Sequence, residues 1–176
     1  MPQVQSFDPV IGSDPRVLIL GSMPGVASLE ARQYYAHPRN AFWPIMAELF
    51  RVEWADSYAA KIKQFKELPL VLWDVLRSCQ RDGSLDSDIA PDRLEPNAIA
   101  QLLFQYPSIA LIVFNGAAAE KYFLQKVARS VQQFRRVELV RLPSTSPAHA
   151  SKTRQQKIAE WAIIRAHLDG SRSNFM

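Results

Sequence analysis

The sequence predicts an α/β sandwich around a mostly parallel sheet, and three observations carry that prediction. Short continuous apolar runs, the mark of strands buried on both faces, recur four times along the chain. Between them stand segments whose apolar residues fall at helical spacing. The 176 residues are one domain's worth of chain, long enough to bury a full core, and neither a repeat nor a linker divides them. A single domain over residues 1–176 is expected, with a core from about 7 to 168 and a frayed tail from about 170 to 176.

The first strand is Arg16-Val17-Leu18-Ile19-Leu20, ending at Gly21. Phe42, Ile45, Met46 and Leu49 follow at i, i+3, i+4 and i+7, the stripe of an amphipathic helix that tolerates Pro44 in its first turn. Leu70-Val71-Leu72-Trp73-Asp74-Val75-Leu76 reads as a second strand, and Arg81 to Asp88 as a polar loop. Pro96 opens a helix whose Ile99, Leu102, Leu103 and Tyr106 share a face, and Pro107 closes it. Ile109 to Phe114 is the third strand, Gly116 to about Val127 a helix, and Val137 to Leu142 the fourth strand. A last helix is expected from about Lys152 to Leu168, with Ile158, Trp161, Ile164 and Leu168 inward.

Composition narrows the classes. Apolar residues at 48% and charged residues at 22% exclude a disordered chain, a collagen-like chain and a coiled coil. No apolar run reaches the ~18 residues of a membrane span, and the first residues lack the basic start and apolar stretch of a signal peptide. Cys79 is the only cysteine, which leaves no internal disulfide and no cysteine metal cage. A cytoplasmic monomer is the simplest expectation. His37, His149 and His167 lack metal-ligand spacing, and no Gly-x-Ser-x-Gly elbow is present. Asp82, Asp86 and Asp88 read as a solvated turn, since the full calcium-loop pattern is missing.

The charge is uneven. The net is +4, yet the stretch from Lys126 to Met176 holds ten Lys and Arg against three acids, +7 against −3 for the rest. One basic side suits a phosphate backbone; the alternative is solvation of helix faces.

In parallel sheets ligands bind beyond the carboxyl ends of the strands. Three loops leave those ends. In the first, Gly21-Ser22-Met23-Pro24-Gly25 lets backbone N–H groups approach an anion or sugar, although it is neither a Walker A loop nor a dinucleotide fingerprint. It continues as Gln33-Tyr34-Tyr35-Ala36-His37-Pro38-Arg39-Asn40-Ala41-Phe42-Trp43, which interleaves aromatic, basic and amide side chains. Aromatic faces stack bases and Arg39 can meet phosphate. Asn40 is equally placed to cap the helix that follows, and Phe42 and Trp43 to pack against the sheet. In the second loop, Asn115 ends a buried strand, where its amide must find a partner, either a base edge or its own backbone. The third loop, Pro143-Ser144-Thr145-Ser146-Pro147-Ala148-His149-Ala150-Ser151, precedes Lys152 and Arg154 at a helix start. It suits phosphate binding or ordinary helix capping.

Gly21 to Gly25, Tyr35 to Trp43 and Leu142 to Ala148, in that order, resemble motifs of the uracil-DNA glycosylase superfamily. The nearest match is its hypoxanthine-DNA (deoxyinosine) glycosylase branch, followed by the mismatch-specific uracil glycosylases. The resemblance spans about Phe7 to Leu168. It implies a three-layer α/β/α sandwich with a central four-stranded parallel sheet. It also implies a DNA glycosylase that flips a deaminated base out of the duplex and hydrolyses its N-glycosidic bond, leaving an abasic site without metal, cofactor or strand cleavage. Two departures bear on the substrate. Met23 stands where the mismatch-specific enzymes carry a water-handling residue, and a thioether cannot do that work; the hypoxanthine branch supplies an Asn from the His-Pro-Arg-Asn segment, which is Asn40 here. The strict uracil enzymes begin the third loop with a His, where Ser144 or Thr145 stands in this chain.

The resemblance therefore implies Asn40 as catalytic residue, positioning water against the sugar C1′. Asn115, the Gly21-Ser22-Met23 backbone, and Phe42 or Tyr35 would bind the base. Pro24, Gly25, His37, Arg39, Ser144, Thr145, Ser146, Pro147, His149, Lys152 and Arg154 would contact the DNA. The alternatives are a mismatch-specific uracil glycosylase, a silent binder of damaged DNA, and a hydrolase of free nucleosides.

Overall fold

A computed structural model describes residues 2–133 and 135–173. In chain order the elements are β1 (Gln3–Gln5), β2 (Val10–Ile11), β3 (Val17–Gly21), α1 (Val26–Ala31), α2 (Phe42–Phe50), α3 (Tyr58–Phe65), β4 (Leu70–Asp74), β5 (Leu76–Gln80), β6 (Glu95–Pro96), α4 (Ile99–Gln105), β7 (Leu111–Asn115), α5 (Ala117–Lys126), α6 (Ala128–Gln132), β8 (Glu138–Leu142), α7 (Arg154–Trp161) and α8 (Ile163–Ser173).

The main sheet has the order β2-β4-β3-β7-β8. Strands β4, β3, β7 and β8 are the four expected parallel strands; β2 adds a short antiparallel edge. Alternate residues of the parallel strands enter two separate cores. Leu18, Leu20, Val71, Trp73, Ile112 and Phe114 pack against α4, α5 and α6. Val17, Ile19, Leu70, Leu72, Leu111 and Val113 pack against α2, α3, α7 and α8 on the other face. This strict period of two makes the three layers. From β3 the chain passes to β4 on one side and then returns to β7 on the other, so the crevice beyond their carboxyl ends is a topological switch point.

Several sequence expectations need correction. The apolar run Leu70 to Leu76 is two strands, because both feed the same core: β4 ends at Asp74, and β5 leaves for a small antiparallel sheet with β1 and β6. Asn97 holds the joint, its Nδ2 donating to the Asp74 carbonyl at 2.8 Å. Pro96 lies in β6 rather than opening a helix; α4 begins at Ile99. The last helix is two, α7 and α8, and α8 continues to Ser173 where a frayed tail was expected; residues 174–176 lie outside the described residues. No described helix is long and apolar enough to cross a membrane.

Candidate active site

A cleft of about 300 Å³ opens at the switch point, within the small-ligand range. The first loop supplies one wall, from Gly21 to Ser28, together with Tyr35, His37 and Asn40. Asn115 stands at the end of β7, and Ser144 to Ala148 form the opposite wall. The three loops singled out from the sequence thus meet in one cavity.

The first wall is held by its own polar groups. Ser28 Oγ accepts the Ala36 N–H at 3.0 Å, and Trp43 Nε1 donates to the Tyr34 carbonyl at 2.9 Å. Between these anchors Tyr35 sits at φ 53°, a left-handed conformation that costs an aromatic residue on the order of 1–3 kcal/mol. The turn lays the Tyr35 ring on Phe42, with centroids 4.3 Å apart. Phe42 is itself 0% exposed and does not line the cleft, so it cannot stack on a base. Its place in the α2 stripe decided that; the tyrosines that line the cleft are Tyr34 and Tyr35.

Asn40 lies one residue ahead of the helix cap, which is Ala41. Its Oδ1 accepts the Phe42 N–H at 3.0 Å, fixing the amide, while its Nδ2 donates to no described residue. Its backbone N–H bonds the His37 carbonyl at 2.9 Å, and His37 Nδ1 accepts from the Arg39 N–H at 3.1 Å. Both side chains line the cleft, whereas Arg39 projects outward.

The opposite wall is pinned through Thr145. Asn115 Nδ2 donates to Thr145 Oγ1 at 3.0 Å, and its Oδ1 accepts the Thr145 N–H at 2.9 Å. The Thr145 carbonyl takes the Ala41 N–H at 2.9 Å. Thr145 is 1% exposed with its hydroxyl occupied, so burial removes it from the expected phosphate contacts. Two of the four hydrogen-bonding valences of Asn115 are thus spent on Thr145. Gly116, at φ 99°, lets β7 turn here; a Cβ would lie 3.0 Å from Ser144 Cβ. From α7, Trp161 Nε1 donates to the Pro143 carbonyl at 2.9 Å and the buried Lys157 Nζ to the His149 carbonyl at 2.8 Å. The helix is capped by Thr153 rather than by the loop serines. Lys152 pairs with Glu160, and neither Lys152, Arg154 nor His149 lines the cleft.

Two acids in the cleft were not among the expected site residues. Asp74 lines it from the end of β4 and is 3% exposed. Burial, then the nearby Asp86, pushes its pKa up to about 7 against the pull of Arg81. Asp86, one of the three acids read as a solvated turn, accepts a 2.6 Å bond from Ser22 Oγ and borders the cavity. Arg81 is buried below the first loop and donates to the Pro24 carbonyl. The sequence signal for Asp74 was a lone acid inside an apolar run. Among the described residues, no three of His, Cys, Asp and Glu converge as metal ligands.

A strand-end cleft with an aromatic face, two amides and hydroxyl-rich walls can hold a planar base and present water beside it. Residues 9–166 match the profile of the Uracil DNA glycosylase superfamily. The chain belongs to this superfamily. It is a DNA glycosylase, a hydrolase of N-glycosidic bonds. A hypoxanthine DNA glycosylase of Methanosarcina acetivorans is 31% identical over 93% of this chain and 98% of its own length. Another from Methanosarcina barkeri is 33% identical over 67% of this chain and 74% of its own. The solution NMR structure of a Methanosarcina acetivorans protein, described provisionally as a uracil DNA glycosylase, superposes with a TM-score of 0.76 at 32% identity, covering 96% of this chain and 99% of the other. The superfamily's sandwich is therefore the fold of this chain.

Proposed function

We propose that this glycosylase removes hypoxanthine from deoxyinosine in DNA ahead of uracil, leaving an abasic site and an intact strand. The observation that carries the reading is Asn40, an amide fixed on the cleft wall, beside a first loop whose Met23 cannot handle water. Two relatives bearing the hypoxanthine name support the choice of base. The C1′–N bond lengthens with oxocarbenium-like character, as in other glycoside hydrolyses. An amide is a poor base, so Asn40 acts by holding water against C1′. Tyr35 stacks on the flipped base, and Asn115 with the Gly21-Ser22-Met23 backbone bonds its edge. Flipping is cheapest at a mispaired or damaged base. The rim contacts to DNA fall to His37, Arg39, Ser144, Ser146, Pro147, His149, Lys152 and Arg154, with Pro24 and Gly25 shaping the first loop.

The test is incubation, in EDTA, with end-labelled duplexes carrying one deoxyinosine or one deoxyuridine, followed by alkali. Strand breaks only after alkali, greater at deoxyinosine, are expected. Breaks before alkali, or a faster reaction at deoxyuridine, would overturn the reading.

A further inference from the structure

The far end of the sheet carries a second cavity, of about 410 Å³, at the start of β8. Phe123 of α5 and Val131 of α6, both buried, form its floor, and Val137 and Leu139 its apolar wall. Leu139 is 37% exposed, so that wall runs out to solvent. Arg135 and Arg136 complete the lining. Arg135 Nη1 donates to the Leu103 carbonyl at 3.2 Å, which fixes its guanidinium, while Arg136 is exposed. Neither forms an ion pair among the described residues. Residues 121–137 hold five cations, Lys121, Lys126, Arg129, Arg135 and Arg136, and no acid. Glu138, the next residue, points to the opposite face of the sheet from Leu139, where its charge acts on His167 of α8.

The backbone beside the cavity is open as well. The sheet order ends at β8. The Glu138 N–H bonds the Ala110 carbonyl and the Gly116 N–H bonds the Leu142 carbonyl, so the even-numbered residues of β8 turn their backbone groups toward β7. Leu139 and Arg141 therefore turn theirs along the outer edge. Charge usually blunts such an edge. Here Arg141 reaches Glu120 of α5 at 3.6 Å, and Leu139 is apolar.

We propose that this cavity and the β8 edge together dock an acidic, extended peptide segment of a protein partner. The segment adds a strand outside β8. Its backbone bonds Leu139 and Arg141, one apolar side chain enters the cavity, and carboxylates meet Arg135 and Arg136. Main-chain bonds supply the affinity of such strand addition, and the pocket supplies its selectivity. The charge and the apolar floor select this occupant together. A phosphate backbone would meet the arginines but has nothing to place on Phe123 and Val131. A second copy of this chain would bring the same cations against their like. The cavity lies toward the amino ends of the strands and the base cleft beyond their carboxyl ends, so the two sites accept their ligands independently.

The experiment is fluorescence anisotropy with a short labelled peptide carrying one Phe and an Asp two residues to either side, so that all three share a face of the added strand. Saturable binding is expected, with slowed hydrogen exchange at the Leu139 and Arg141 amides in the complex. The same peptide with Asn for Asp, or Ser for Phe, should bind at least about tenfold more weakly, as should the native peptide to Arg136→Glu. Arg136 is exposed and remote from the cleft, so this variant should keep the native circular dichroism and base-excision rate. No saturable binding, equal binding of the control peptides, unaltered affinity in Arg136→Glu, or unchanged exchange at Leu139 and Arg141 would overturn the proposal. Displacement of the peptide by an undamaged DNA duplex would also overturn it and make the surface one for nucleic acid.

Discussion

The Asp74 carboxyl stores free energy that folding alone would not choose. Its pKa near 7, against about 3.9 unfolded, means that the native state binds the extra proton between those values. Stability from this group is greatest below about pH 4, declines as pH rises to about 7, and is then flat, a loss on the order of 4 kcal/mol. Asp74→Asn removes that loss. Its melting temperature at pH 8 should exceed the native chain's by roughly 10 °C, with the gap closing near pH 4, as thermal melts at the two pH values would show. Titratable groups perturbed in this way cluster at functional sites. At this scale the sequence was most legible where a polar side chain follows an apolar strand: Asn115, and Asn40 before its helix, line the cleft as expected. Asp74 was hidden because seven consecutive residues read as one strand. Phe42 was misplaced because a helix stripe and a base-stacking ring share one residue type, and only the packing under Tyr35 separates them.

The third loop is an element without secondary structure, yet three bonded pairs hold it: Asn115 with Thr145, Trp161 with Pro143, and Lys157 with His149. Loss of one buried partner leaves the other orphaned, at about 1–3 kcal/mol. Thr145→Val, which removes the acceptor for Asn115 Nδ2, should lower the melting temperature by roughly 3–8 °C. It should also raise KM more than it lowers kcat, since the freed wall shapes the cleft rather than touching C1′; a melt paired with steady-state kinetics checks both. The four parallel strands and helices α2, α4 and α5 were legible from periodicity, apart from their ends. The two- and three-residue edge strands β1, β2 and β6 were not, since so few residues show no period. Nor was the break between α7 and α8, because the inward stripe continues through Ala162.

At the scale of the whole molecule, the charge of the basic C-terminal third is partly neutralised. Arg141 pairs with Glu120, Lys152 with Glu160 and Arg165 with Asp169, while Lys157 is buried. Sequence counts the charges but not their partners, which lie on other elements. With about three cations of the cleft rim left for phosphates (Arg39, Arg154 and a shared Lys152), log affinity for DNA should fall against log salt with a slope of about −2 to −3. A slope near −6, measured by fluorescence anisotropy across salt, would restore the whole basic third as the DNA surface. What joins the scales is the proposal that the base is removed at the β3–β7 switch point with Asn40 holding water. The most direct measurement is single-turnover excision from a deoxyinosine duplex by the native chain and by Asn40→Ala, each confirmed folded by circular dichroism. Water held by Asn40 predicts alkali-labile sites from the native chain and a rate at least about 10²-fold lower for the variant. Equal rates for the two proteins would contradict it and leave Asn40 with only its bond to the start of α2.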